Sequence, residues 1–143
     1  MVFERLTVEA RSALQRGHAE GRALGATHVS SGHYLLGLIC NEVGLGAKVL
    51  RSLKLSAEEV KGCLVGADTA RPPAVGMAPV SDEAKDALRA ADEFSGGGDI
   101  GSDHLLLGLV TSPDRVAAQM VTQLGVEPAA IRDELTRLAG SDP

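Results

Sequence analysis

Apolar residues recur along most of this chain at intervals of three and four, the spacing of one face of an α-helix. Ala10, Ala13, Leu14 and Leu24 form the first such run, which Thr7 opens as an N-cap and Gly25 closes. Gly17 and Gly21 weaken its middle by about 1 kcal/mol each relative to alanine, so either can mark a close helix contact. A second run extends from Ser31, its natural N-cap, to about Asn41. It is apolar around nearly its whole circumference (Leu35, Leu36, Leu38, Ile39), as a central, buried helix is. A third helix is expected over about Leu45 to Leu53. The fourth opens on Ser56-Ala57-Glu58-Glu59, a capping box in which serine and glutamate satisfy each other's backbone N–H groups, and runs through Val60 and Leu64.

The second half of the chain repeats this order. Ser81 caps a helix from Asp82 to Phe94, and the acidic Asp82 and Glu83 suit the positive end of its dipole. Gly96-Gly97-Gly98 breaks the chain, and Ser102 caps the next helix, through Val110. Pro113 suits the start of the one after it, and Gly125 its end. Pro128 opens the last, through Ile131, Leu135 and Leu138. Residues 66–79 hold three prolines, two glycines and no apolar period, which is the composition of a linker. No segment alternates as a strand does. The expected class is all-α, from a duplicated four-helix unit.

The duplication is visible residue by residue. His28-Val29-Ser30-Ser31-Gly32-His33-Tyr34-Leu35-Leu36-Gly37-Leu38-Ile39 recurs 71 positions later as Asp99-Ile100-Gly101-Ser102-Asp103-His104-Leu105-Leu106-Leu107-Gly108-Leu109-Val110. The same offset maps Ala47 onto Ala118, Leu53 onto Leu124, Val60 onto Ile131 and Leu64 onto Leu135. Upstream, Ala10, Ala13 and Leu14 match Ala84, Ala87 and Leu88 at an offset of 74, so the second copy is three residues shorter between its first two helices. The expected organisation is one domain over 1–143, with repeat 1 at 1–65, the linker at 66–79 and repeat 2 at 80–140.

Composition narrows the function. The chain is 44% hydrophobic and 23% charged, within the range of folded globular proteins. Its aromatics are Phe3, Tyr34 and Phe94, so the core is aliphatic. A net charge of −5 supplies no basic field for phosphates, which argues against nucleic-acid binding. No apolar run approaches the roughly 20 residues of a membrane span, and the start Met1-Val2-Phe3-Glu4 has no signal core, so no membrane association and a cytoplasmic location are expected. Cys40 and Cys63 read as reduced, buried small hydrophobes.

The paired Gly/Ser-x-His-x-Leu-Leu-Gly-Leu segments resemble the duplicated Gly-Thr-Glu-His-Ile-Leu-Leu-Gly-Leu of the Clp N-terminal domain, which begins the ClpA, ClpB and ClpC members of the AAA+ unfoldases. Val2-Phe3-Glu4-Arg5-Leu6-Thr7 is similar to the family's Met-Phe-x-Arg-Phe-Thr start, most closely in the ClpC branch. Gly44-Leu45-Gly46-Ala47-Lys48-Val49-Leu50 resembles its Gly-Glu-Gly-Val-Ala-Ala-Lys-x-Leu segment, slightly shortened. The resemblance covers essentially the whole chain and implies an eight-helix pseudo-twofold bundle. It implies a non-catalytic domain that receives substrates and adaptor proteins for an ATPase ring. The chain has no Gly-x-x-x-x-Gly-Lys-Ser/Thr loop and no room for a motor after Leu138. It is expected to be a free-standing domain, acting as adaptor or decoy, in preference to the front end of a longer protein.

In the ClpC branch the resemblance implies one phosphoarginine site per repeat, with a glutamate before the motif histidine contacting the guanidinium. A carboxylate pairs with that planar cation, while hydroxyls and helix N-terminal N–H groups take the phosphate. The matching positions are Gly32, which has lost the carboxylate, and Asp103, which keeps it one methylene shorter. Ser31 and Ser102 stand where the family has threonine, and both are also expected N-caps. The first site is expected to be weak or absent and the second functional. A second family surface, a groove between the first helices of the repeats that takes cyclic peptide antibiotics, matches at Phe3 and Lys85, but its usual aromatic is here Val80. Sequestration of such peptides by a free-standing chain is the alternative function. His33 and His104 lie among leucines and read as structural; His18 and His28 have no partner at metal-ligand spacing. With no nucleophile elbow, catalysis, cofactors and metals are not expected.

Overall fold

A computed structural model describes residues 6–24, 28–41, 44–65, 80–112 and 115–140. Among them are eight helices: α1 (Val8–Ala23), α2 (Ser31–Asn41), α3 (Gly44–Ser52), α4 (Ala57–Val65), α5 (Asp82–Ser95), α6 (Ser102–Val110), α7 (Val116–Gln123) and α8 (Pro128–Gly140). The described residues contain no strand. Two isolated parallel bridges, Leu6 to Ile100 and Val29 to Val80, tie the lead-in of each repeat's first helix to the other repeat. The expected linker at 66–79, Phe3, Gly25 and Pro113 lie outside the described residues.

Local chemistry explains most helix ends. The Thr7 hydroxyl accepts from the Ala10 N–H (3.2 Å) and the Ser81 hydroxyl from the Ala84 N–H (3.3 Å), so α1 and α5 have the expected caps. Ser56 accepts from the Glu59 N–H at 3.1 Å, and its hydroxyl also donates to the Glu59 carboxylate at 3.0 Å. The C-cap of α1 is Leu24, in a right-handed conformation, directly before the expected stop at Gly25; one expected start moves, as α7 begins at Val116, beyond the proline. Neither Cys40 nor Cys63 is in a disulfide, and both are half-buried instead of fully buried.

The helices pair closely within each copy and interlock between them. α1 packs along α2 and α5 along α6, while α3 lies on α6 and α8, and α7 on α2. The core is therefore common to both copies, with Leu35, Leu36, Leu105, Leu106 and Ile131 fully buried. Small residues set the within-copy pairs. A Cβ at Gly17 would lie 2.9 Å from the His33 carbonyl oxygen, and one at Gly21 would lie 3.3 Å from the His33 ring. Both expected glycine contacts are present.

One turn breaks the symmetry at a cost. After α3 the chain closes with Leu55 N–H to the Leu50 carbonyl at 3.0 Å; after α7, Val126 N–H reaches the Val121 carbonyl at 2.8 Å. Each closure needs a left-handed residue. The second uses Gly125 (φ 87°), the first Lys54 (φ 65°). A side chain there costs about 1 kcal/mol. Lys54→Gly is therefore expected to stabilise the fold by roughly 0.5–1 kcal/mol, read as a higher urea midpoint at unchanged slope; a lower midpoint would contradict this account.

Candidate functional site

The expected ligand positions lie where α2 and α6 begin, and each copy builds that start from its own histidine. In α6 the N-cap is Gly101, and its N–H donates to Nδ1 of His104 at 3.0 Å. In α2 the Ser30 carbonyl accepts the N–H groups of His33 and Tyr34, and the Ser30 N–H donates to Nδ1 of His33 at 2.9 Å. The imidazole thus replaces the glutamate of a capping box, reaching back from the third helical position. Because Nδ1 accepts in both rings, the 3.8 Å approach of Asp103 to Nδ1 of His104 is not an ion pair. His33 and His104 are structural, as expected.

Ser31 and Ser102 do not cap their own helices, contrary to expectation. They are the first helical residues, one position past the cap, and their hydroxyls point across to the other repeat. Ser31 Oγ accepts the N–H of Ala117 in α7 at 2.9 Å; Ser102 Oγ accepts the N–H of Gly46 in α3 at 3.0 Å. Each serine satisfies an orphan donor at a helix start contributed by the opposite copy. The two sites are built from both repeats at once.

Here the symmetry ends. At the first site a carboxylate is already in place, from Glu83 in the first turn of α5. Its Oε1 accepts from the Ser31 hydroxyl (2.6 Å) and the Val116 N–H (2.9 Å); its Oε2 accepts from the Ser31 N–H (2.7 Å) and the Ser81 hydroxyl (2.9 Å). Burial pushes this carboxyl up, but the bonds from Ser31, Val116 and Ser81 outweigh it, and the net displacement is downward. Glu83 was expected only to favour the helix dipole.

Gly32, the position that has lost the family's carboxylate, is buried beneath this cluster. A Cβ there would meet Met120 Sδ at 2.5 Å, Leu64 Cδ2 at 3.0 Å and Val116 Cγ1 at 3.1 Å. At the second site the counterpart of Glu83 is Glu9, 74 positions earlier. Glu9 is exposed, and among the described residues its carboxylate takes no hydrogen bond from Ser102. Asp103, with 34% of its side chain exposed, stands beside the buried Ser102 at the α6 N-terminus.

The remaining candidates fall elsewhere. Val80 is half-buried, bridged to Val29 and packed on the core, and Lys85 is exposed on the first turn of α5. His18 faces Tyr34, with Nε2 3.0 Å from the phenol oxygen; burial pushes the phenol up to about 12 and, with Arg22, holds the imidazole below its ordinary value. No group of three or more His, Cys, Asp or Glu side chains suited to a metal occurs among the described residues. None of the described helices is long and apolar enough to cross a membrane.

Comparison with known proteins adds what geometry alone lacks. No family profile matches the chain. It is 34% identical over 145 residues to the chloroplastic chaperone protein ClpC of Pisum sativum, an alignment covering 97% of this chain and 16% of that protein. The N-terminal domain of the chaperone ClpD from Arabidopsis thaliana superposes with a TM-score of 0.73 at 27% identity, covering 95% of this chain and 99% of that one. The chain belongs to the Clp N-terminal domain family. It spans about a sixth of the length of the ClpC relative it matches. A ClpV N-domain solved with a VipB peptide shares the fold, with a TM-score of 0.73 at 18% identity, covering 94% of this chain and 87% of that one. Within this Clp N-terminal domain the two repeats treat their matched sites oppositely, the first filled from within by Glu83 and the second not.

Proposed function

We propose that this chain is a non-catalytic recognition domain of the Clp chaperone–protease system, which binds substrate or adaptor proteins and takes phosphoarginine-marked chains at repeat 2 alone. The observation that carries this reading is the contrast between Gly32 and Asp103. The first position is packed against Met120, Leu64 and Val116, with Glu83 above it; the second presents a half-exposed carboxylate beside Ser102 at a helix N-terminus. A guanidinium pairs with Asp103 through charge-assisted bonds, and its phosphoryl group faces the α6 N-terminal N–H groups. The relationship to ClpC and the VipB peptide complex of ClpV support the broader, protein-binding part of the reading.

Calorimetry with free phosphoarginine tests it. One binding event per chain is expected, and Asp103→Ala should weaken it at least tenfold, about 1.5–3 kcal/mol for a hydrogen-bonded charge pair. The variant should unfold only slightly below the parent, since among the described residues Asp103 makes no hydrogen bond and loses only the first-turn dipole contribution of about 0.3–1 kcal/mol. Absence of heat at millimolar ligand would overturn the phosphoarginine part. Recovery of Clp unfoldases, adaptors or unmarked peptides on the immobilised chain would then support the protein-binding part alone.

A further inference from the structure

The Glu83 cluster has the construction of a ligand site and not of an ordinary helix cap. Donors from three helices converge on one carboxylate: the Ser31 N–H and hydroxyl from α2, the Val116 N–H from α7 and the Ser81 hydroxyl at the head of α5. Each oxygen receives two of these bonds. Ser31 is itself fully buried and oriented by the Ala117 N–H, so its hydroxyl proton is committed toward Oε1. All the donors are uncharged. They suit a small oxyanion at the positive ends of two helices, where backbone N–H groups and dipoles both favour negative charge. An ordinary first-turn acid would bond one N–H of its own helix; Glu83 instead bonds α2 and α7.

We propose that the junction of α2, α5 and α7 is an oxyanion-binding site that the protein keeps filled with its own Glu83 carboxylate, closed to external carboxylate or phosphate while that side chain is present. The internal comparison supports it. The matched position in the other repeat is Glu9, which stays exposed, so only one of the two related sites holds a tethered ligand. In a domain whose second repeat binds phosphoarginine, the tether sets the stoichiometry at one. That consequence rests on the function proposed above; the tethered site does not.

Glu83→Ala deletes the atoms that free acetate supplies, so chemical rescue is the test. The whole chain is unfolded thermally as parent, Glu83→Ala and Glu83→Gln. Each is measured in sodium formate, acetate or phosphate against sodium chloride at matched ionic strength. Glu83→Ala is expected to lose on the order of 10 °C and to regain several degrees in about 100 mM acetate or formate. Phosphate should act similarly if the cavity admits its extra oxygens. The parent, whose site is full, and Glu83→Gln, whose amide occupies the volume, should show no such shift. Equal behaviour of Glu83→Ala in acetate, formate, phosphate and chloride would overturn the proposal and leave Glu83 a structural carboxylate. Should Glu83→Ala not fold in chloride, refolding yield in acetate against chloride gives the same reading. In the parent, the Glu83 carboxyl carbon and the Ser31 and Val116 amides should titrate together by NMR. Independent titration of these resonances would also overturn it. A failed phosphoarginine titration leaves these outcomes untouched, so the two readings can fail separately.

Discussion

Gly37→Ala is expected to destabilise the protein by about 3 kcal/mol or more, although alanine is the better helix former by about 1 kcal/mol. The reason lies where α1 and α2 cross. A Cβ at Gly37 would overlap the carbonyl oxygen of Ala13, and would sit 2.6 Å from the Gly17 nitrogen and 3.0 Å from its Cα. All three are backbone atoms, so no rotamer change relieves the overlap, and the helices must separate along a seam that buries Ala10, Ala13 and Leu14. Gly108 repeats the arrangement in the second copy, against the Ala87 carbonyl and the Ala91 nitrogen at 2.8 Å. Gly62 in α4 supplies the control, because a Cβ there meets nothing within 4 Å. Gly62→Ala should stabilise by roughly 0.5–1 kcal/mol from helix propensity alone. Urea denaturation of Gly37→Ala, Gly108→Ala and Gly62→Ala decides the matter. If Gly37→Ala and Gly62→Ala shift the midpoint in the same direction, close backbone contact is not what holds Gly37.

The same crossing shows what a sequence can and cannot disclose. The helix order, the largely apolar α2 and the glycine contacts of α1 follow from spacing and composition, because each is a property of a short segment. Thr7, Ser56 and Ser81 were identifiable as caps for the same reason: donor and acceptor lie three residues apart. Ser31 and Ser102 misled because their hydroxyls serve helix starts 86 and 56 residues away, and only the folded arrangement brings these together. Their own helices begin one residue earlier, on Ser30 and Gly101, with a histidine in the place where a capping box ordinarily has glutamate. Glu83 discloses only its dipole role in the sequence, for a related reason. As a first-turn acid it has a sufficient local explanation, and its matched residue Glu9 has the same one; the difference between them is tertiary. The loss of side chain at Gly32 against its retention at Asp103 is legible in the sequence, whereas what packs against each position is tertiary.

Restoring the missing carboxylate should therefore fail. Gly32→Glu recreates the residue that the resemblance to ClpC places before the motif histidine, and a purely sequence-based view predicts a recovered first site. The structure predicts the opposite. The new Cβ would enter space held by Met120, Leu64 and Val116, with Met120 Sδ at 2.5 Å. Met120 can swing aside, so Gly32→Ala is expected to cost only about 1–2 kcal/mol. Glutamate adds a charge among these apolar side chains and close to Glu83, whose four hydrogen bonds already engage the Ser31, Ser81 and Val116 donors. A buried carboxylate without partners beside another carboxylate is costly on both counts, so a loss of more than about 3 kcal/mol is expected. Calorimetry on any folded Gly32→Glu should show no second phosphoarginine event. Gly32→Glu/Glu83→Gln should be less destabilised than the sum of its two single variants, because the like-charge repulsion goes while the packing conflict and the donors left facing the glutamine amide stay. A Gly32→Glu protein as stable as its parent, binding two ligands where the parent binds one, would show that the first repeat is closed by the missing carboxylate and not by Met120 and Glu83.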